Sequence, residues 1–514
     1  MKVVATFLVF SSLTLSFPVF DYVGEAWSAP RGKLVVAQAG DPTTLDPQMN
    51  TEIPSNVVHN NVYDYLVKRV FKDGMIHNEP MLATSWETVS DTAWVFHLRK
   101  GVKFHNGEDF NAEAVKYTIE RMLKPEQKAR RRPYFDFIDR VDTLDPYSVR
   151  ITTKGPIAFL VYNLGFALAI LPPKYFKEKG DAYVATHPVG TGPFKFVRWV
   201  KDEEIVLEAN ESYWGGAPSI KTLIFKPIPE DSTRIAALLG GDIDIIKNVP
   251  IHLIPMINKS NRAKVMWTPA GLIIRVVLDT LKEGSPLRDK RVRQAINYGV
   301  DKEAIIKHVL EGYGKPMGSP LYPATFGYDP SVKPYPYDPE KAKALLKEAG
   351  YRNGITLTFN SPSGRYAKDK EFAEAIADQL SKVGINIKLN VHEWGSYMKM
   401  VYSTEGAGDM WTWGWGGTSD ADSALYPLLY CGVPLSKYCN KELDNYLDQA
   451  RSTLDQKKRE RIYHQALKLI HDDGAYLFLH QGADVYGVSN RVENWTPNLD
   501  ELFTLSLHDA SVKD

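Results

Sequence analysis

The sequence predicts a mixed α/β protein with more than one domain. A chain of 514 residues is too long for one hydrophobic core, so we expect two or three domains. Residues 355–391 have the pattern of a strand, a helix and a strand, the unit that builds a sheet with helices on its faces. No low-complexity linker interrupts the chain. Two lobes, if present, should therefore be joined by strands rather than by a flexible tether.

The first residues have the pattern of an export signal. Lys2 precedes an apolar run at residues 3–10, and the small residues Ala26 and Ser28 follow. This pattern predicts a signal peptide over residues 1–28, with cleavage after Ser28. A membrane anchor is the alternative, but the run is too short and too often interrupted to span a bilayer. No cysteine lies near the cleavage site, so a lipid anchor is not supported.

The charge balance of the chain limits the classes of partner that can be expected. The chain has 62 basic and 62 acidic residues, and this balance gives no reason to expect nucleic acid or an anionic membrane as a partner.

The two cysteines of the chain, Cys431 and Cys439, lie close together in a loop-like stretch. In an oxidising compartment this spacing favours a disulfide. A thiol nucleophile or a metal-binding pair is the weaker alternative, because there is no C-x-x-C motif.

The first half of the chain alternates between strand and helix patterns. Residues 33–39 and 94–98 are predicted strands. Asn111 is a suitable N-cap for a helix with an apolar face. The remaining predictions here are strands at 205–209, 223–225 and 243–246, and a helix at 232–239.

The second half gives a clearer pattern. Asp338 caps a helix with Pro339 at its first position, and Gly350 ends that helix. A strand at 355–359, a helix at 369–383 and an alternating strand at 385–391 follow.

Motifs of common enzymes are absent from the sequence. It contains no G-x-S-x-G, H-E-x-x-H, phosphate-binding loop or G-x-G-x-x-G. The twelve histidines are scattered, and their spacings do not match a usual zinc site. We therefore predict a protein that is not an enzyme and that needs neither a cofactor nor a metal.

Several segments, in this order and spacing, resemble the extracellular solute-binding protein family 5, which serves ABC importers for dipeptides, oligopeptides and nickel. They extend across nearly the whole mature chain and comprise residues 40–47, 80–87, 94–107, 114–115, 188–194, 210–214, 291–297 and 337–342.

The resemblance implies a two-lobe periplasmic binding protein fold, type II and cluster C-like, with an extra N-terminal subdomain. It places lobe I at residues 29–272 plus 485–514, with the subdomain inserted at about 50–187, and lobe II at 273–484. A hinge is expected near 271–275 and 483–487. The implied function is capture of a ligand by lobe closure and its delivery to a membrane permease.

The resemblance also suggests ligand-binding residues. In members that bind free peptides, an Arg after a strand of the larger lobe holds the ligand carboxylate, and Arg365 corresponds to it. An Asp after a Gly-Trp turn holds the ligand ammonium; Asp420 is the better match and Asp422 the alternative. Further candidates for the ligand site are Tyr366, Trp394, Trp413, Trp415, Thr43 and Thr44. Each could instead serve packing or a turn.

The predicted function is therefore that of a monomeric periplasmic receptor for short peptides or peptide-like zwitterions. An oligosaccharide is the next alternative, because tryptophans also stack on sugar rings. A nickel chelate is a third, and a secreted hydrolase is less favoured.

Overall fold

A computed structural model describes residues 29–403, 407–416, 419–497, 499 and 505–513. The predicted signal peptide, residues 1–28, lies outside the described residues.

The strands, in chain order, are β1 (Arg31–Gln38), β2 (Val67–Lys72), β3 (Met75–Pro80), β4 (Ala83–Ser90), β5 (Ala93–Leu98), β6 (Ile138–Asp145), β7 (Ser148–Thr153), β8 (Phe194–Val200), β9 (Glu204–Ala209), β10 (Ile220–Pro227), β11 (Ile245–Lys247), β12 (Ala263–Leu278), β13 (Lys315–Pro316), β14 (Ile355–Ser363), β15 (Ile385–Glu393), β16 (Met410–Gly416), β17 (Tyr476–Ser489), β18 (Val492–Glu493) and β19 (Ser511–Val512).

The helices are α1 (Ile53–Val62), α2 (Ala112–Leu123), α3 (Leu160–Leu164), α4 (Pro173–Lys179), α5 (Asp181–Val184), α6 (Asp231–Gly240), α7 (Ile254–Asn258), α8 (Lys290–Gly299), α9 (Lys302–His308), α10 (Pro339–Glu348), α11 (Asp369–Ser381), α12 (Trp394–Val401), α13 (Asp422–Leu429), α14 (Lys441–Ser452) and α15 (Gln456–Asp472). None of the helices in the described part of the chain is both long and apolar enough to cross a membrane.

One large mixed sheet runs through the molecule in the order β15-β14-β16-β12-β17-β11-β1-β10-β9-β8, with β13 added on β17. We call the half with β1 and β8–β11 the first lobe, and the half with β14–β16 the second lobe. Helices cover both faces of each half, so each lobe has a core on either side of its sheet. This arrangement confirms the predicted mixed α/β class.

A separate small subdomain precedes the second lobe in the chain. Its four-stranded sheet has the order β4-β5-β7-β6, and it has its own hydrophobic core, drawn from residues 66–170. Asn111 caps α2 as predicted, since its side chain accepts hydrogen bonds from the backbone nitrogens of Glu113 and Ala114.

Strands β12 and β17 connect the two lobes. They pair along most of their length, and their register shifts between Pro269 and Ile273. Gly271 and Gly416 lie at this junction, where a Cβ atom on Gly416 would be 2.1 Å from the Gly271 carbonyl oxygen. Only glycine permits this close approach. The stretches predicted as the hinge, residues 271–275 and 483–487, fall within these two strands.

Candidate functional site

Strands β14 and β16 separate before either of them ends. Their backbone pairing stops at Asn360 and Trp411, although β14 continues to Ser363 and β16 to Gly416. We call the region between residues 361–363 and 412–416 the strand gap. The Ser361 and Thr412 hydroxyls bridge it at its inner end, 2.9 Å apart. An unpaired strand edge offers backbone donors and acceptors to an extended ligand chain.

Two tyrosine hydroxyls satisfy the free edge of β16. The Tyr397 hydroxyl donates to the Thr412 carbonyl oxygen at 2.5 Å, and the Gly414 N–H donates to the Tyr366 hydroxyl at 2.9 Å. The Tyr366 ring lies so close to the strand that a Cβ on residue 414 would be 2.7 Å from it. A ligand that pairs with β16 must therefore displace the Tyr366 hydroxyl.

Arg365, Tyr366 and Trp394 form a cluster at the mouth of the strand gap. The Arg365 guanidinium carbon is 5.2 Å from the centroid of each of the two rings. The Arg365 side chain is exposed, and within the described residues it has no ion pair with a carboxylate. The structure thus places Tyr366 and Trp394 beside the accessible cation of Arg365, so three of the predicted site residues lie together.

The turn that carries Arg365 is held by one buried carboxylate. Asp369, at the start of α11, accepts hydrogen bonds from the backbone nitrogens of Gly364, Arg365 and Tyr366 at 2.8–3.0 Å. These bonds fix the backbone beneath the guanidinium and leave its side chain available to a ligand.

A small cavity of about 60 Å³ lies between the small subdomain and the second lobe. Tyr134, Tyr162 and Phe166 line it from the subdomain, and Trp415 lines it from the second lobe. The Trp415 indole N–H donates to the Ser423 carbonyl oxygen at 3.0 Å, which fixes the orientation of the ring. Trp415 therefore lies at the boundary between the small subdomain and the second lobe.

Trp413 occupies a different environment from Trp415. It is 8% exposed and packs in the core of the second lobe with Trp411 and Tyr476. Most of the Trp413 surface is therefore buried by packing, which was the alternative to a ligand-site role for this residue.

The small subdomain makes further contacts with the second lobe. The Ala158 N–H donates to the Arg451 carbonyl oxygen at 3.1 Å, and the rings of Tyr162 and Phe326 are 5.8 Å apart. We call the contact of Ala158 and Phe159 with Arg451 the interlobe latch.

Asp420 is paired inside the protein. Its two carboxylate oxygens accept hydrogen bonds from Arg459 at 2.6 and 2.7 Å, and the side chains are 3% and 0% exposed. The negative charge of Asp420 is therefore balanced by Arg459, and a ligand ammonium would have to compete for it. Asp420 also lines the cavity that Trp415 lines, and its position after a Gly-Trp turn did not indicate the buried pairing with Arg459.

Asp422, the alternative anchor, is also buried and paired. Its Oδ1 atom is 3.1 Å from Arg451 Nε. Burial raises the pKa of Asp422 to about 7, against the opposing effect of Arg451, and nearby Asp420 raises it further.

Thr43 and Thr44 lie in the first lobe, where their hydroxyls bond locally. Thr43 donates to Glu52 at 3.0 Å and Thr44 to the Ala185 carbonyl oxygen at 3.4 Å. Among the hydrogen bonds of the described residues, neither threonine bonds to the Arg365 cluster.

The predicted disulfide between Cys431 and Cys439 is confirmed. Their Cα atoms are 4.6 Å apart. The Cys431 N–H donates to Asp444 on α14 at 2.9 Å, so the closed loop is anchored to the second lobe.

The sequence did not single out the subdomain aromatics Tyr134, Tyr162 and Phe166. They lie in an aromatic-rich stretch without a distinctive motif, and only the fold brings them to the lobe boundary. Arg275 is more conspicuous in the sequence than these aromatics, because it is a charged residue within the apolar segment 272–278.

The fold and the site together define a class of protein. Two lobes that are joined by crossing strands are typical of periplasmic solute-binding proteins that close around a ligand. The sequence profile of the bacterial extracellular solute-binding proteins, family 5 Middle, matches residues 78–434. This chain belongs to that family.

Relatives match over nearly the whole chain. Heme-binding protein A of Haemophilus influenzae is 31% identical over 92% of this chain and 91% of its own. The dipeptide-binding protein of Escherichia coli is 32% identical, with coverages of 87% and 88%. Among solved structures, the periplasmic binding protein DppA of Helicobacter pylori in complex with the peptide STSA superimposes with a TM-score of 0.77, at 32% identity and coverages of 94% and 98%. The family and these relatives are binding proteins.

Proposed function

We propose that this protein is exported to the periplasm and is the receptor of an ABC importer, where it captures short peptides or peptide-like zwitterions between its lobes. The observation that carries this proposal is the strand gap with Arg365 at its mouth. A peptide backbone can pair with β16 once it displaces the Tyr366 hydroxyl, and its carboxylate can bind the exposed guanidinium.

The relatives support a peptide as the ligand. One of them is a dipeptide-binding protein, and a solved neighbour was determined with a peptide bound. Another is a heme-binding protein, so the family accepts ligands of different chemistry on the same scaffold. The site of this chain must therefore be tested directly.

The two ends of the ligand are bound differently in this proposal. Arg365 lacks a carboxylate partner among the described residues and has room for one. Asp420 and Asp422, by contrast, already have Arg459 and Arg451. We therefore expect the carboxylate to contribute more to binding than the ammonium.

In this function the protein acts as a monomer, returns its ligand chemically unchanged and presents its closed form to membrane permease subunits. Closure around the ligand gives the permease two distinguishable states. The predicted signal peptide accounts for export. N-terminal sequencing of periplasmic protein should give a chain that starts at Ala29 or within a few residues of it.

Native mass spectrometry of protein purified without refolding tests the ligand class first. A retained peptide mass supports the proposal, whereas a glycan or a nickel chelate identifies one of the alternatives. Multiple-turnover consumption of the ligand would show a hydrolase.

Calorimetry then tests the site. Arg365→Ala should weaken the binding of an unblocked dipeptide by about 2–5 kcal/mol, the usual effect of removing one partner of an enclosed charge pair. A C-terminally amidated dipeptide should bind wild type weakly and lose little further in this variant. Arg352→Ala is the matched control, because Arg352 is also exposed but lies after α10. Equal affinities of both variants for the unblocked dipeptide would exclude Arg365 as the anchor.

A further inference from the structure

The second lobe contains another cavity, of about 100 Å³, beside strands β12 and β16. It lies between the sheet, the end of α12 and the loop closed by the disulfide. Its walls are mainly aromatic and aliphatic, with one lysine, and include Trp411, Trp413, Tyr402, Tyr476, Leu435 and Lys437. The cavity thus combines apolar walls with a positive charge.

Arg275 lies beside this cavity on the same face of the sheet. It is directly opposite Trp413 across the β12–β16 pairing, and its guanidinium carbon is 5.3 Å from the centroid of the Tyr476 ring. Both of these neighbours line the cavity. Val277, two residues further along the same strand, lines it as well.

The Arg275 guanidinium has no carboxylate partner within the described part of the chain. Arg275 is 1% exposed, and its Nε, Nη1 and Nη2 atoms lack an acceptor at good hydrogen-bond geometry, so a weak hydrogen bond with Tyr476 is its main polar contact. The indole nitrogen of Trp413 is unbonded too. Burial lowers the pKa of Arg275, and Tyr476 offsets this effect only in part.

Other buried arginines of this protein show what Arg275 lacks. Arg459 forms two hydrogen bonds with Asp420, and Arg121 binds Asp46 at 2.6 Å. A buried charge without a partner is costly, and proteins normally pair it. A buried guanidinium without a carboxylate partner, opposite a tryptophan whose indole N–H is also unbonded, therefore points to a site for an external anion.

We propose that this cavity binds a carboxylate carried on a small apolar or aromatic body. The planar guanidinium of Arg275 suits the two oxygens of a carboxylate, and the Trp413 N–H supplies a further donor. The aromatic walls surround the body of the ligand, and Lys437 adds positive charge. The carboxylate belongs either to the transported solute or to a separate small organic acid. The proposal does not depend on the assignment of peptides to the strand gap.

Benzoate and its uncharged counterpart benzamide are suitable probes for the mature full-length protein. Benzoate should raise the melting temperature and give a calorimetric signal at millimolar concentration, whereas benzamide should give neither. Arg275→Met should abolish the benzoate effect. Trp413→Phe keeps an aromatic ring but removes the indole N–H, so it should weaken the effect severalfold. Arg352→Ala should bind benzoate as wild type does, because Arg352 is an exposed arginine that lies outside both sites.

Stability separates a binding role from a structural one. Ligand-free Arg275→Met should melt no lower than wild type, because it removes an unpaired buried charge, whereas the matched variant Arg459→Met should melt lower. Loss of the natural solute from Arg275→Met, seen by native mass spectrometry, assigns the carboxylate to that solute; retention assigns it to a separate acid. The proposal is overturned if benzamide acts like benzoate, if wild type binds no benzoate, or if Arg275→Met still binds it. Should Arg275→Met fail to fold, the two probes and Trp413→Phe still decide.

Discussion

Asp420 and Arg459 form a two-point ion pair in the interior of the second lobe, with oxygen–nitrogen distances of 2.6 and 2.7 Å. The Tyr463 hydroxyl accepts a third hydrogen bond from the same guanidinium at 2.9 Å. This network joins the segment after β16 to α15. It fixes the position of Asp420 in the wall of the cavity that Trp415 also lines.

The main effect of Asp420→Asn should therefore be a lower free energy of unfolding rather than a loss of ligand contact. It leaves the Arg459 charge buried without a counter-charge, which typically costs about 3–5 kcal/mol of unfolding free energy. Urea unfolding measures the loss. The double variant Asp420→Asn, Arg459→Met should recover most of it, because no charge is then left unpaired. A variant of unchanged stability that no longer binds ligand would instead restore Asp420 as the ammonium anchor.

The interlobe latch should contribute to closure. The Arg451 guanidinium carbon lies 5.4 Å from the Phe159 ring centroid and 3.8 Å from that of Tyr426. Arg451→Lys keeps the charge beside Asp422 but loses the planar stacking. We expect a loss of about 0.5–1 kcal/mol, or roughly two- to fivefold in ligand affinity, because apparent affinity falls with the population of the closed form.

Calorimetry measures this effect, and small-angle X-ray scattering should show a more open ligand-free variant. Arg352→Lys is the control for an exposed arginine outside the latch. An unchanged affinity for Arg451→Lys would show that the latch does not influence closure.

The disulfide should stabilise the protein without affecting binding. Cys431 and Cys439 are separated by eight positions, and closing so short a loop in the unfolded chain is worth about 2–3 kcal/mol in the chain-entropy treatment. The double variant Cys431→Ser, Cys439→Ser should lose that much unfolding free energy in urea and keep the affinity of the strand gap for an unblocked dipeptide. Lower affinity at unchanged stability would contradict this expectation.

Local signals were enough to predict most of the elements. Asn111 and Asp338 cap helices as expected, because a cap depends on residues within one turn of it. The predicted strand at 385–391 corresponds to β15, Ile385–Glu393, because alternation alone specifies a strand of this kind. Prediction was less accurate where neighbouring strands decide: β11 begins at Ile245 rather than at residue 243.

The site was predictable only in part. Arg365 and Tyr366 follow a strand, a position from which side chains can reach the edge of a sheet. The partner of Asp420, however, is 39 positions away on α15, and nothing near Asp420 in the sequence indicates it. Trp413 and Trp415 are two residues apart on one strand, yet one packs in the core and the other lines the lobe boundary. Tertiary packing decides such differences, and the periodicity of the sequence carries no information about them.

Asp422 should make stability depend on pH. Its pKa is about 7 in the folded protein and about 3.9 in an unfolded chain. Between these values the folded protein keeps a proton that the unfolded chain has lost. The contribution of Asp422 to the free energy of unfolding therefore falls as pH rises from about 4 to about 7. Above pH 7 this loss is complete, because the carboxylate is then ionised in both states.

Asp422→Asn removes this titration and keeps a side chain of similar size. The gain in unfolding free energy of the variant over wild type should therefore be larger at pH 8 than at pH 5. Comparing the two proteins at each pH cancels the contributions of other groups, including His480, whose pKa burial lowers to about 4 and whose effect has the opposite sign. Urea unfolding at both pH values provides the measurement. A difference between variant and wild type that is the same at pH 5 and pH 8 would mean that the Arg451 ion pair keeps Asp422 ionised throughout.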